Sequence, residues 1–193
     1  MNKSEKKELV VIGGSAGSLP VLIRIIKLLP GDFILPLAIV IHRQRNVVSE
    51  FTKILTQAFK HKKIVEPDDK EPIETGVIYI APQNYHLLIE ADLTFSLDYS
   101  EAVKFSRPSI DVTFESASLV YKNALTAILL SGANNDGTAG LKCVVENGGT
   151  VIAQAPETAE FPAMPRSAIT SVTGIRILDP VEIGAYLNSV NIT

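Results

Sequence analysis

Apolar residues in this chain fall into short continuous runs, separated by longer stretches in which they recur at every third or fourth position. The first run starts at Leu9 and ends in Gly13-Gly14-Ser15-Ala16-Gly17. That abrupt ending predicts a buried strand over 8–14 turning sharply into a helix. Leu19, Leu22, Ile23, Ile26 and Leu29 then give a stripe of helical spacing over 18–29, with Pro20 in the first turn and Pro30-Gly31 closing it. Leu37-Ala38-Ile39-Val40-Ile41 is apolar at every position, as expected of a strand covered on both faces, and it stops at His42. A helix over 47–61 follows, with Phe51, Ile54, Leu55 and Phe59 on its inner side.

Two short segments, around 63–66 and 71–74, lie in an acidic stretch, and Val77 to Pro82 reads as a strand. Segments 86–90 and 94–97 flank Ala91-Asp92-Leu93 and predict a hairpin. A loop from Glu101 to Pro108 leads into a helix ending near Tyr121. The strand at 125–130 runs into Ser131-Gly132-Ala133-Asn134-Asn135-Asp136-Gly137-Thr138, and the helix after it is stopped by Gly148-Gly149. A strand at 150–154, a proline-rich loop, a helix at 164–172, a strand at 175–178 and a helix at 180–188 complete the series. This alternation predicts an α/β fold: a doubly wound, mostly parallel sheet with helices on both faces and a minor antiparallel hairpin. Without repeat or linker, 193 residues are expected to form a single domain over 1–193.

Composition narrows the function more than the fold. At 46% hydrophobic and 20% charged residues there is apolar material for a substantial core, and a net charge of −3 offers no general attraction for nucleic acid. No apolar run approaches the ~18 residues of a membrane span, and the run behind the charged start merges into the first strand instead of forming a signal peptide. A cytoplasmic protein without membrane insertion is expected. Cys143 is the sole cysteine, so no intramolecular disulfide forms and a packing role is expected. The three histidines and Cys143 show no ligand spacing, and neither a metal nor another cofactor is expected. Arg43, Arg45, Lys53, Lys60, Lys62 and Lys63 face only Glu50 in their stretch, a solvated face or a partner-contact patch beside His42.

In doubly wound sheets ligands sit beyond the carboxyl ends of the strands. The polar groups directly following apolar runs are Ser15, His42 and Asn134-Asn135-Asp136, and Gly13 to Gly17 also satisfies G-x-S-x-G. Each has a plainer reading: Ser15 as a helix-start residue in a small-residue turn, His42 as structural, Asp136 as a cap or turn residue. Together they are the hydroxyl, imidazole and carboxylate of an activated serine nucleophile. The order Ser…His…Asp departs from the Ser…Asp/Glu…His of α/β-hydrolases. A dinucleotide site is disfavoured because Ser15 and Ser18 stand where G-x-G-x-x-G needs its second and third glycines.

These residues carry a family resemblance. Ile12 to Gly17, Val40-Ile41-His42, Tyr79-Ile80-Ala81-Pro82 with His86-Leu87, Arg107-Pro108-Ser109-Ile110-Asp111, Asn135 to Gly140 and Ala163 to Ala168 match, in order, the catalytic domain of chemotaxis protein-glutamate methylesterases. The chain resembles that family over nearly its whole length. The resemblance implies a serine esterase that removes methyl groups from glutamate methyl esters on chemoreceptor helices, with glutamine deamidation in some members. By position it implies Ser15 as nucleophile, His42 as general base and acid, and Asp136 as the carboxylate orienting the imidazole. Backbone N–H groups at Ala16 or Ala133 would hold the oxyanion, Met164 would line the cleft, and Arg43 and Arg45 would meet an acidic receptor face.

Three departures accompany it. Ser18 replaces a usual glycine, Ala133-Asn134 replaces a usual Met-Gly, and the family's N-terminal receiver domain has no counterpart in these residues. A receiver on another chain or a further segment is then the implied partner. Two rivals stand beside this reading: a binding or regulatory module of the same fold, and an esterase for a different ester.

Overall fold

Alternate residues of the central strands serve two different cores. In the computed structural model, which describes residues 8–43 and 50–191, Leu9 and Val11 pack on one face of the sheet and Val10 and Ile12 on the other. Ala38 and Val40 oppose Leu37, Ile39 and Ile41 in the same way. Successive side chains of a strand point to opposite faces, so a strand buried on both sides must be apolar throughout.

The chain order is β1 (Leu9–Gly14), α1 (Ser18–Leu28), β2 (Leu37–Ile41), α2 (Phe51–Ala58), β3 (Lys63–Val65), β4 (Val77–Ile80), β5 (His86–Ile89) and β6 (Phe95–Asp98). It continues with α3 (Ile110–Tyr121), β7 (Leu125–Leu129), α4 (Thr138–Glu146), β8 (Thr150–Gln154), α5 (Ala163–Ser171), β9 (Arg176–Leu178) and α6 (Pro180–Val190). Seven strands form a parallel sheet in the order β3-β4-β2-β1-β7-β8-β9, and β5 pairs with β6 in a separate antiparallel hairpin. One core joins α3, α4, α5 and the hairpin to the sheet through Phe114, Leu141, Met164 and Phe95. The other joins α1, α2 and α6 through Leu22, Ile26, Leu55 and Leu187.

Two local expectations change, at α2 and at Cys143. Ile54 is 42% exposed instead of facing inward, and the described part of α2 runs only from Phe51 to Ala58. Of the two short segments in the acidic stretch, the first contains β3, and the second is joined to Thr94 by an isolated bridge at Pro72. Cys143 is half-buried, and burial pushes its thiol up. No helix among the described residues is long and apolar enough to cross a membrane.

Candidate active site

The strand order reverses between β1 and β7. The chain leaves β1 toward β2 and leaves β7 toward β8, which opens a crevice beyond their carboxyl ends. Ser15 follows β1, the 131–136 loop follows β7, and His42 follows β2, one strand over. Backbone bonds lace these ends together: Ser15 N–H donates to Ser131 O at 2.9 Å, and His42 N–H to Gly14 O at 3.2 Å. Ser131 Oγ donates to Ala16 O at 2.8 Å. Gly17 makes the turn into α1 at φ +73, where a side chain would be strained. Ser18 is buried and donates its hydroxyl to Ser15 O at 2.6 Å, so this departure from glycine pins the turn carrying Ser15. Ser15 itself is half-buried, and its Oγ makes no hydrogen bond among the described residues.

Asp136 is fully buried and anchors the site's charge. His42 Nε2 donates to its Oδ2 at 2.8 Å. The same carboxylate sits on the start of α3, accepting from Ile110 N–H at 2.7 Å and Asp111 N–H at 3.1 Å. It therefore does the capping work that Ser109, the residue before α3, leaves undone, because Ser109 Oγ donates to Asp136 at 3.0 Å. Burial alone would raise its pKa. The hydrogen bond and charge of His42, with the α3 N–H groups, outweigh burial and hold the carboxyl down at about 2. With Asp136 ionised, Nε2 carries the hydrogen it donates, so in the neutral imidazole the lone pair is on Nδ1.

That lone pair faces the 101–108 loop. Ser106 Oγ lies 3.2 Å from His42 Nδ1. Lys104 anchors the loop from below, with Nζ at 2.6 Å from Asp111 Oδ2 and 3.1 Å from Asn135 O. Burial raises the Asp111 carboxyl, with Gly140 N–H and Lys104 opposing it and the nearby Asp136 charge adding to it. In the turns after β1 and β7, Ala16 and Ala133 are exposed, and neither backbone N–H donates to an acceptor among the described residues.

The other expected contact residues are placed differently. Met164 is fully buried under the β7 loop, and a Cβ added at Gly132 would lie 2.5 Å from its Cε, so Met164 fills the space a glycine leaves instead of lining an open cleft. Arg43 is turned inward, paired with Glu66 at 2.9 Å and donating to Ala81 O, with its side chain 7% exposed. Its charge is committed within the fold. Arg45 lies outside the described residues. His86 is buried, accepting from Ser109 N–H and donating to Glu101 O, a structural placement. No group of three or more His, Cys, Asp or Glu among the described residues could hold a metal. The sequence assigns no role to Ser106 or Lys104, and Ser109 stands there only within a family-matching segment. Only Ser109 carried a signal, as the polar residue directly before a helix.

Comparison with known proteins follows the same lines. The family model described as CheB methylesterase matches residues 10–187. A relative from Leptospira interrogans is 48% identical over 176 residues, covering 90% of this chain and 91% of that protein. The protein-glutamate methylesterase/protein-glutamine glutaminase of Thermotoga maritima is 36% identical over 168 residues, covering 84% of this chain but only 48% of its own length. This chain thus spans about half of such longer relatives. The crystal structure of the Thermotoga maritima CheB methylesterase catalytic domain superposes with a TM-score of 0.88 at 32% identity, over 95% of this chain and 98% of that one.

Proposed function

The chain belongs to the CheB methylesterase family, and on that premise we propose that it hydrolyses glutamate γ-methyl esters on chemoreceptor helices, with Ser15, His42 and Asp136 as its catalytic residues. Ser15 Oγ attacks the ester carbonyl while His42 Nδ1 takes its proton. Methanol leaves with that proton, giving an acyl-Ser15 intermediate. Water then attacks the acyl carbon, His42 takes a proton from it, and the free glutamate carboxylate departs as Ser15 regains its hydrogen. Glutamine side chains would follow the same path with ammonia as the leaving group, in keeping with the second activity in the names of the relatives.

The observation that carries this reading is the placement of His42 and Asp136, 2.8 Å apart, at the strand ends next to a serine on a strand-to-helix turn. The uncommitted N–H groups of Ala16 and Ala133 supply oxyanion donors, each removed donor of this kind costing ~3–4 kcal/mol of barrier. Asp136 stays ionised through the cycle and stabilises the imidazolium that forms after proton transfer. Hydrolysis of a methylated receptor fragment, beside that of a small activated ester, tests the substrate class. Preference for the receptor fragment is expected; equal or better turnover of the small ester would assign another substrate.

A further inference from the structure

The imidazole of His42 is held at both ring nitrogens, and the partner of its reactive nitrogen is not Ser15. Asp136 takes Nε2 at 2.8 Å and Ser106 Oγ stands 3.2 Å from Nδ1. Resting on the assignment of His42 as the base, we propose that Ser106 is a positioning residue that fixes the plane of the His42 ring. A single hydrogen bond to Asp136 leaves the ring free to pivot about that contact, whereas a second at the opposite nitrogen sets its plane. A hydroxyl suits the role because it donates as well as accepts. In the resting enzyme it donates to the lone pair of the neutral base; that lone pair serves one donor at a time, so the Ser106 hydroxyl turns as Ser15 Oγ delivers its proton to Nδ1, and it then accepts from Nδ1–H of the imidazolium. The ring therefore keeps a partner in both protonation states.

The turn that presents Ser106 is built to hold it there. Lys104 and Phe105 both have positive φ, 47 and 64, a conformation that costs non-glycine residues of order 1–3 kcal/mol each unless the surroundings impose it. Ser106 N–H donates to Val103 O at 2.8 Å and Val103 N–H to Ser106 O at 3.1 Å, closing the turn. The ammonium of Lys104 ties it to Asp111 on α3 and to Asn135 O, the residue beside Asp136. The contacts at both ring nitrogens are thus anchored on one small body, the start of α3 and the loop before α4. Phe105 projects into solvent, 99% exposed, so its packing does not explain the strain.

The test uses the whole chain, with Ser106→Ala and Ser106→Thr beside the wild type. For Ser106→Ala, kcat should fall by about 5- to 30-fold with KM unchanged, the scale of one hydrogen bond made to a reacting group. The ¹⁵N resonance of His42 Nδ1 should shift toward that of an unbonded acceptor, and Ser106→Thr should restore both. Wild-type kcat and an unmoved Nδ1 signal in Ser106→Ala would overturn the positioning role alone. Labelling with a fluorophosphonate, followed by peptide mass spectrometry, separates the remaining case. An adduct on Ser15 in wild type and Ser106→Ala fits the account; an adduct on Ser106 would make that hydroxyl the nucleophile and overturn both assignments.

Discussion

His42 Nε2 and Asp136 Oδ2 lie 2.8 Å apart although 94 residues separate them in the chain. The distance closes because β2 and β7 flank β1 in the sheet, so the loops after all three strands open into one crevice. The carboxylate that orients the imidazole is also the group that caps α3, so the alignment of His42 depends on how α3 docks. Fold stability and base orientation meet in one side chain.

Asp136→Asn should therefore damage both. Asp136 accepts from His42, Ser109, Ile110, Asp111 and Gly137, and an amide replaces one of its two acceptor oxygens with a donor. We expect kcat to drop on the order of 10⁴-fold, as when a triad carboxylate is converted to its amide. Unfolding in urea should occur at a lower midpoint. Steady-state kinetics and urea titration on the same preparation check both parts.

The same group gives stability a definite pH dependence. Its folded pKa, about 2, lies below the ordinary value of 3.8, so the folded state favours the ionised form. The stabilisation is fully present above the unfolded pKa and is lost as pH falls through the folded one, between roughly 4 and 2, by on the order of 2 kcal/mol. The raised Asp111 carboxyl has the opposite sign and resists ionisation as pH rises through the same region. Urea unfolding at pH 6, 4 and 3 should show wild type losing its advantage over Asp136→Asn as pH falls; a gap constant with pH would contradict the linkage.

Gly132 and Met164 should behave as a coupled pair. A Cβ at Gly132 would sit 2.5 Å from Met164 Cε and 2.6 Å from its Sδ. Gly132→Ala is expected to destabilise by about 1–3 kcal/mol through overpacking, and Met164→Ala by about 2–5 kcal/mol through the cavity it leaves. The double variant should be less destabilised than the sum, because the space left by Met164→Ala takes up the methyl added at Gly132. Additive effects in a thermal-unfolding cycle would show that Met164 does not fill that space.

Much of this is legible in the sequence. Strands buried on both faces announce themselves as apolar runs, unbroken in β2 and interrupted only by Thr126 in β7, and β1, β2 and β7 are visible for that reason. Ser15, His42 and Asp136 stood out because they follow those runs, where an α/β sheet puts its ligands. Ser106 was not legible: nothing local separates it from other loop serines, and its contact with His42 arises when a loop folds back over the strand ends. The expected roles of Arg43 and Met164 rest on the place of Arg43 beside His42 and of Met164 within a family-matching segment. The structure turns Arg43 to Glu66 and Ala81, and it buries Met164 against Gly132. Side-chain direction at such positions depends on what the fold leaves empty, which linear spacing does not encode.

The central claim is that Ser15 forms the acyl intermediate. Methanol release from a methylated receptor fragment, measured for wild type beside Ser15→Ala, tests it most directly. A loss on the order of 10³-fold or more is predicted for the variant, since only oxyanion stabilisation and binding would remain. Methanol release by Ser15→Ala at a rate close to wild type would contradict it.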